Sequence, residues 1–584
     1  MAGKPKPAFF AAVALVVVGL VLFALYNAGI LAPKGDQGKG VPPKAIDPTQ
    51  LGLGKEVEDP ANTKAVTTVK EYEFVPSTKL PEVKGTAAYK ALENNTVRFA
   101  LNVWAGWAPI IYANEGFKAG KVWKTPTGEE FKVELVLIDD PVAMRDAYAA
   151  GELHIGWATL DMVPLFLEGF VDETGTPRDS RIMPRIYQQI DWSNGGDGIV
   201  AREAIQTVSD LRGKKVALAQ NSPSQYFLLN MLVYGGVQPS DVQMVFTADA
   251  FQAAAAFNAQ ADIAAAVTWA PDIYKLSEAA GNRMLVTTAT ANRLIADVWF
   301  ARADFARDHE PKVEAIVRGI FDSMETLYTD EAAKQKCAEY MAAGYNLPAA
   351  DAAGMMGDAH WTNWAENYQF LLNQNNPAGF QRIWEQSYLL YRRIGSITHT
   401  PVPFDKVMDF SIIQRLGQEP RYAQQVDRYK VEFTPRTVSE IAGAESPVLT
   451  QTVTINFSPN NWDLHFKIMR EKDGAQVEEL YDPNVDNVLS DIAGLAGKFG
   501  MAHIVISGHT DGSMRGRVPE GQVRELSLNR ANAVKDALVQ QFKLDPNQFS
   551  VEGVGWARPA DPGDPNNHAR NRRVEISVYP MEAQ

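Results

Sequence analysis

One stretch of this chain has the residue types to trap a small charged molecule on backbone dipoles. Val216, Ala217 and Leu218 make a short apolar strand, Asn221, Ser222, Pro223 and Ser224 follow at once, and Tyr226, Leu228, Leu229, Met231 and Leu232 then set a helical spacing. A strand that runs through a Ser/Asn/Pro turn into a helix gathers unbonded N–H groups at one point, where the helix dipole favours an anion. The same residues support a plainer role, in which Ser222 or Ser224 caps the helix and does nothing more. Other chemistries lack their residues. There is no nucleophile elbow, no dinucleotide loop and no Glu/His pair at metal spacing, so no enzyme, cofactor or metal site is expected.

Such a turn needs a sheet to hold it. Thr96–Val103 reads as a buried strand, Trp104–Pro109 as its loop, and Ile110 onward as a helix. Phe131–Ile138 is a second strand, Asp140–Ala150 a helix, His154–Ala158 a third strand, and Thr159 to Asp161 opens another helix. This alternation predicts a parallel α/β sheet with ligands beyond the carboxyl ends of its strands. Trp104, Trp107, Thr159 and Asp161 fall at such ends. Each also has a structural alternative: a tryptophan there is more often core, and Asp161 can serve in a capping box.

Asp210 to Leu218 (DLRGKKVAL), the turn Gln220–Ser224 and the later Trp269-Ala-Pro271 resemble, in that order, the solute-binding proteins of the nitrate, sulfonate, taurine and thiamine-precursor ABC importers. The resemblance covers roughly residues 96–330. It implies a two-lobed periplasmic binding protein over residues 96–430, with a second lobe at about 195–290, a return through Leu294–Phe300 and a helical tract over 310–430. The cleft it implies lies between Trp104, Trp107, Thr159, Asp161, Asn194, Gly195, Ser222, Ser224, Thr268 and Trp269, and takes a small solute, expected to be anionic. A polar cleft would favour solute binding. A cleft filled by large apolar side chains would favour a docking body without ligand.

A separate module is expected over residues 448–580, after a polar connector at 431–447. It begins with a strand at Val453–Phe457, then an amphipathic helix at Asp482–Phe499, with Val485, Val488, Leu489, Ile492, Leu495 and Ala496 on one face. His503–Asp511 is a strand running into a loop, Leu526–Leu538 a helix capped by Ser527, and Val551–Gly555 and Asn571–Ile576 are the last strands. Gly508-His-Thr-Asp511, Ser527-Leu-Asn-Arg530-Ala531 and Asn571-Arg572-Arg-Val-Glu-Ile576 resemble the peptidoglycan-binding module named after OmpA, an α+β domain of βαβαββ type. The resemblance implies that Asp511 takes the ammonium of the wall peptide's diaminopimelate and Arg530 its carboxylate, with Arg572 in the same site. That chemistry is sound by itself, since a zwitterion needs a fixed charge of each sign and a guanidinium matches a carboxylate. A surface ion pair is the alternative. The sequence departs from the family pattern in a long Asp511–Arg530 loop with Arg515, Arg517 and Arg524, in Val523, and in an inserted-looking segment from Trp462 to Tyr481.

The net charge of -14 and pI near 5.2 exclude nucleic acid as an expected partner. A single cysteine, Cys337, excludes an intrachain disulfide and a cysteine zinc cluster. Residues 8–26 are an unbroken apolar run behind Lys4 and Lys6, near the ~20 residues that cross a ~30 Å hydrocarbon core. The expectation is an uncleaved single-pass anchor over residues 1–31 in the inner membrane, with the bulk of the chain in the periplasm; a cleaved signal peptide is the rival. Residues 32–95 read as a Pro-rich linker. The partners expected are peptidoglycan, a small solute, and an inner-membrane permease or other membrane complex, for uptake or sensing. The alternative function is a structural wall-anchored subunit.

Overall fold

The computed structural model describes residues 66–75, 80–472 and 475–581. Its first thirteen strands, in chain order, are β1 (Phe74–Val75), β2 (Thr96–Leu101), β3 (Trp123–Lys124), β4 (Glu130–Leu137), β5 (Ile155–Thr159), β6 (Pro184–Ser193), β7 (Asp197–Arg202), β8 (Lys215–Ala219), β9 (Gln243–Thr247), β10 (Ile263–Trp269), β11 (Asn282–Thr287), β12 (Ala296–Arg302) and β13 (Ala359–Trp361). They sort into two sheets, one ordered β13-β6-β12-β5-β2-β4-β3 and the other β1-β9-β8-β10-β7-β11. Each sheet is the centre of one lobe. The chain leaves the first lobe after Ser193, enters the second at Asp197, and returns between Thr287 and Ala296.

Neither sheet is purely parallel. In the first lobe β2 runs parallel to β4 and β5, but β12 is antiparallel to β5 and β6. In the second, β8 is parallel to β9 and β10, while β7 is antiparallel to β10 and β11. Strands next to the two crossings break the parallel rule, because a chain that changes lobe arrives without a helical crossover to turn it; the short edge strands β1, β3 and β13 are antiparallel as well. The tract after β12 is helical as expected, from Glu310–Thr329 to Pro420–Ala423, except that β13 pairs with β6. Cys337 lies buried in this tract, and burial pushes its thiol up to about 12.

The Pro-rich linker departs from expectation. Its described part is bound to both lobes rather than held off as a tether. On the second lobe β1 pairs antiparallel with β9, and Thr68 N donates to Asp272 Oδ1 at 2.8 Å. On the first, Ala87 N donates to Ala149 O at 3.1 Å and Lys90 N to Gly151 O at 2.9 Å. Val66, Val69, Tyr72, Val75, Val83 and Tyr89 pack on the core, so these apolar residues outweigh the prolines between them.

The C-terminal module follows a short helix at Val438–Ala444 and contains β14 (Leu449–Val453), β15 (Lys467–Lys472), β16 (Ala475–Leu480), β17 (Ala502–His509), β18 (Phe549–Gly555) and β19 (Val574–Pro580). Its sheet is ordered β14-β19-β17-β18, with helices Val485–Lys498 and Glu520–Phe542. The segment that looked inserted is the exposed hairpin β15–β16. The second helix starts at Glu520, not near Leu526, so Ser527 does not cap it. The Ser527 hydroxyl instead donates to Arg524 O at 2.8 Å and accepts from Gly555 N at 3.0 Å. Pro519 and the helix-forming Glu520, Gln522 and Glu525 explain the earlier start. The helix lies so close to β17 that a Cβ on Gly508 would stand 2.1 Å from the Ser527 carbonyl oxygen.

The helix Val485–Lys498 ends against the two-lobed body. Lys498 O accepts from Arg293 N on the return crossing at 3.1 Å, and Lys498 Nζ reaches Tyr234 OH at 3.1 Å. Arg382 Nη1 donates to Ser490 Oγ at 2.9 Å. Burial holds the Lys498 ammonium down to about 7, although Asp491 acts the other way. Among the described residues no helix is long and apolar enough to cross a membrane; the apolar run at 8–26 lies outside them.

Candidate functional site

The first lobe brings carboxylates together at one edge of its sheet. Asp161 follows β5, Asp191 lies near the end of β6, and Asp297 near the start of the antiparallel β12. Register makes them neighbours, since Asp297 stands opposite both Thr159 and Asp191. Trp104 Nε1 donates to Asp191 Oδ2 at 3.0 Å. Asp161 accepts from Thr159 Oγ1 at 2.7 Å and from Tyr391 OH at 3.0 Å. Asp197, first residue of β7, accepts from Ser193 Oγ at 2.7 Å, and Asp358 accepts from Tyr274 OH at 2.5 Å.

All five are buried, and burial is the main reason their carboxyls are raised: Asp161 and Asp197 to about 7, Asp358 to about 6. Asp191 and Asp297 are raised too, chiefly by burial and with each carboxyl acting on the other, and Asp191 Oδ1 has no hydrogen-bond partner among the described residues. The principal groups acting on the five are hydroxyls, the Trp104 indole and one another, with no lysine or arginine.

The second lobe, which contributes Asp197 to this set, adds uncharged polar groups at the ends of β8 and β10. Asn221 turns the chain from β8 into the helix Pro223–Tyr234 at φ 54, a left-handed conformation that asparagine tolerates better than most residues. The capping alternative is not what forms. Ser222 Oγ donates back to Ala219 O at 3.0 Å, and no side chain caps the helix. Ser224 Oγ, both polar side-chain atoms of Asn221, Tyr226 OH and Trp269 Nε1 are buried with no hydrogen-bond partner among the described residues. The Tyr226 ring lies 6.4 Å from that of Tyr391, the residue holding Asp161. Trp269 stands opposite Asp197 in the β10–β7 pairing.

The structure therefore links Trp104, Thr159 and Asp161 to the aspartate cluster and Trp269 to it through the pairing with Asp197, while Ser222 and Ser224 lie at the start of the helix after β8. Trp107 goes elsewhere: its Nε1 donates to Asn102 Oδ1 at 2.7 Å and its ring meets Phe99 edge-on in the core. The Thr268 hydroxyl is taken by Ala250 O at 2.9 Å. Asn194 and Gly195 lie on the first crossing and fasten it: Asn194 Oδ1 accepts from Tyr429 OH at 2.9 Å, and Gly195 N donates to Thr288 Oγ1 at 2.9 Å. The next residue, Gly196, leaves room for Trp104, whose ring would stand 2.4 Å from a Cβ there. Sequence reasoning missed Asp191, Asp197, Asp297 and Tyr226, and named Asn221 only as part of the turn Gln220–Ser224. The available signal was an acid inside an apolar strand, at Asp297, and two acids bracketing the Gly-Gly crossing.

In the C-terminal module Asp511 follows the end of β17. Its Oδ2 accepts from Arg572 Nη1 at 2.6 Å and its Oδ1 from Ser513 N at 2.8 Å. Burial pushes this carboxyl up, but the Ser513 and Arg572 contacts outweigh it and the net shift is downward. Arg530 donates through Nε to Asn461 O at 3.0 Å, and its guanidinium lies 4.9 Å from the Phe457 ring centre. Among the described residues no three His, Cys, Asp or Glu side chains could hold a metal ion.

Comparison with known proteins places these two regions. Residues 185–333 match the NMT1/THI5 like family model and residues 471–573 the OmpA family model. The taurine-binding periplasmic protein of Escherichia coli is 29% identical over 190 residues, which is 32% of this chain and 55% of that protein. Outer membrane protein Omp38 of Acinetobacter baumannii is 30% identical over 143 residues, 24% of this chain and 37% of that one. Motility protein B of Helicobacter pylori is 37% identical over 75 residues, 13% and 29% of the two chains. The chain thus spans about a third to just over half of the length of these relatives. The alkanesulfonate-binding protein SsuA of Xanthomonas axonopodis pv. citri superposes with a TM-score of 0.41 at 17% identity, over 55% of this chain and 100% of that one. Two regions of one polypeptide are thus similar to different families, residues 185–333 to the NMT1/THI5 like family and residues 471–573 to the OmpA family.

Proposed function

We propose that this chain is a cell-envelope binding protein, not an enzyme, that closes two lobes on a small solute and holds peptidoglycan through Asp511, Arg530 and Arg572. It presents the solute, or the fact of its binding, to an inner-membrane permease or another membrane complex. The observation that carries the reading is the set of buried polar groups on the second lobe, Asn221, Ser224, Tyr226 and Trp269, which find no partner among the described residues. Such groups cost about 1–3 kcal/mol each when left unbonded, and a solute between the lobes would satisfy them. A docking body would have filled this space with apolar side chains. Support for wall binding comes from the three C-terminal motifs and from Asp511 and Arg530 standing where each charge acts on the other. Support for a membrane anchor comes from Lys4, Lys6 and the apolar run at 8–26.

A thermal-shift screen of the purified protein tests the solute half. A true ligand stabilises by about 2.7 kcal/mol at a hundredfold excess over its dissociation constant. Absence of any shift across a broad panel of anions, amines and zwitterions would turn the reading to the structural subunit. N-terminal sequencing of membrane-extracted protein tests the anchor, since a start near residue 30 contradicts it.

A further inference from the structure

We infer that the solute is an organic cation, an ammonium or amidinium compound whose charged end lies among Asp161, Asp191, Asp197 and Asp297 and whose other end offers a hydrogen-bond acceptor to Asn221, Ser224 and Trp269. The inference rests on the solute-binding reading above and names the ligand class for that cleft. It departs from the anion expected from the strand–turn–helix alone.

Three observations carry it. The first is sign. An anion placed in this cleft would meet the carboxyls of four buried aspartates with no lysine or arginine among the principal groups acting on them, so nothing there would balance its buried charge. The second is that the carboxylates are incompletely satisfied. Asp197 Oδ1 and Asp191 Oδ1 have no hydrogen-bond partner among the described residues, and Asp191 stands opposite Asp297 in the strand register. A cationic N–H donor group fills these open acceptors. The third is the opposite wall. Trp269 Nε1 is a donor only and Ser224 Oγ and the Asn221 amide can donate, so the ligand's far end must accept. A bare metal ion does not suit the site, because no three acidic, histidine or cysteine side chains among the described residues converge as metal ligands. Trp104, fixed by Asp191 and seated over Gly196, adds an aromatic face beside the positive charge.

Three probes of one size and shape separate the classes. Ethanolamine carries the ammonium with a neutral acceptor, taurine carries the ammonium with a sulfonate, and isethionate carries the sulfonate with a hydroxyl in place of the ammonium. Isothermal titration of the full chain should show the two ammonium compounds binding about tenfold or more tightly than isethionate, the usual effect of one charge-assisted hydrogen bond. Asp197→Asn and Asp161→Asn should each remove that preference. Both variants keep the shape of the side chain and remove a charge that burial already disfavours, so their unliganded melting temperatures should equal or exceed the parent's. Isethionate binding as tightly as ethanolamine and taurine overturns the cation assignment and leaves the solute-binding reading standing. An ammonium preference that survives in both variants overturns the assigned residues. Failure of all three probes to bind overturns this inference and counts against the solute-binding reading as well.

Discussion

Arg572 already occupies Asp511. Its Nη1 donates to Oδ2 at 2.6 Å, while Ser513 N serves Oδ1. An ammonium arriving at this carboxylate has to displace a guanidinium, and the displaced Arg572, 56% exposed as a side chain, is free to swing. Arg530 cannot, because it is fixed by Asn461 O and the Phe457 ring. Asp511→Ala and Arg530→Ala should each weaken sedimentation with purified sacculi about ten- to a hundredfold, for a charge-assisted bond of roughly 1.5–3 kcal/mol. Arg572→Ala should change it by less than either, as expected of an exposed ion pair worth ~1 kcal/mol or less. Equal pelleting by all three variants would show that the wall is held elsewhere.

The buried acids set a pH dependence. Asp161, Asp197 and Asp272 are held at about 7 by burial, against about 3.9 in an unfolded chain. Between those values the folded protein binds more protons than the unfolded one, so stability is greatest on the acid side and falls as pH rises toward 7 and beyond. Glu168 and Glu575, held at about 2, act oppositely, but only below about pH 5 where unfolded glutamates titrate. Calorimetry of the solute-free protein from pH 5 to 8 should show a declining melting temperature, and Asp197→Asn should flatten the decline. A melting temperature that climbs over that range contradicts the burial of these carboxyls.

Lys498 gives the reverse sign. Its ammonium is depressed to about 7 in the folded protein, against about 10.4 unfolded. Between those values the unfolded state holds the extra proton, so this group makes stability rise with pH. Lys498→Met removes a buried charge and keeps the length of the side chain. It should melt higher than the parent at pH 7, with the difference shrinking toward pH 10. A variant that melts lower at pH 7 would mean that the Tyr234 hydrogen bond outweighs the desolvation.

Gly508 bears on the wall site through packing alone. A methyl group there meets the Ser527 carbonyl at 2.1 Å, so Gly508→Ala must push the helix Glu520–Phe542, and Arg530 with it, off the sheet. Overpacking of this kind costs about 1–3 kcal/mol or more. Chemical denaturation should show the loss, and sacculus binding should fall with it even though no ligand contact has been altered.

The alternation of strands and helices, the two crossings and the C-terminal motifs were all readable along the chain, because each is a local pattern of apolar spacing and turn residues. Trp104, Thr159, Asp161, Ser224 and Trp269 could be picked out because each sits at the end of its own strand or at the start of a helix. Asp191 and Asp297 were not readable as a pair. They are far apart in sequence and meet only because β12 returns from the second lobe to lie between β6 and β5, an order that no local pattern encodes. The charge of the cleft, and so the class of its ligand, was hidden with them. Trp107 and Thr268 were misplaced for a smaller reason. Position in a loop or strand end does not tell which way a side chain turns, and both found partners on the core side.

The C-terminal module touches the body at Tyr234 in the second lobe, at Arg293 on a crossing and at Arg382 in the helix that holds Asp161. Lobe separation must therefore disturb contacts that solute chemistry does not determine. A fastening that favours the shut form equally in the filled and the empty protein tightens binding while the empty protein is mostly open, and ceases to do so once the empty protein is itself mostly shut. On the proposed reading, this contact and the cleft together set how tightly a solute is held and how long it stays.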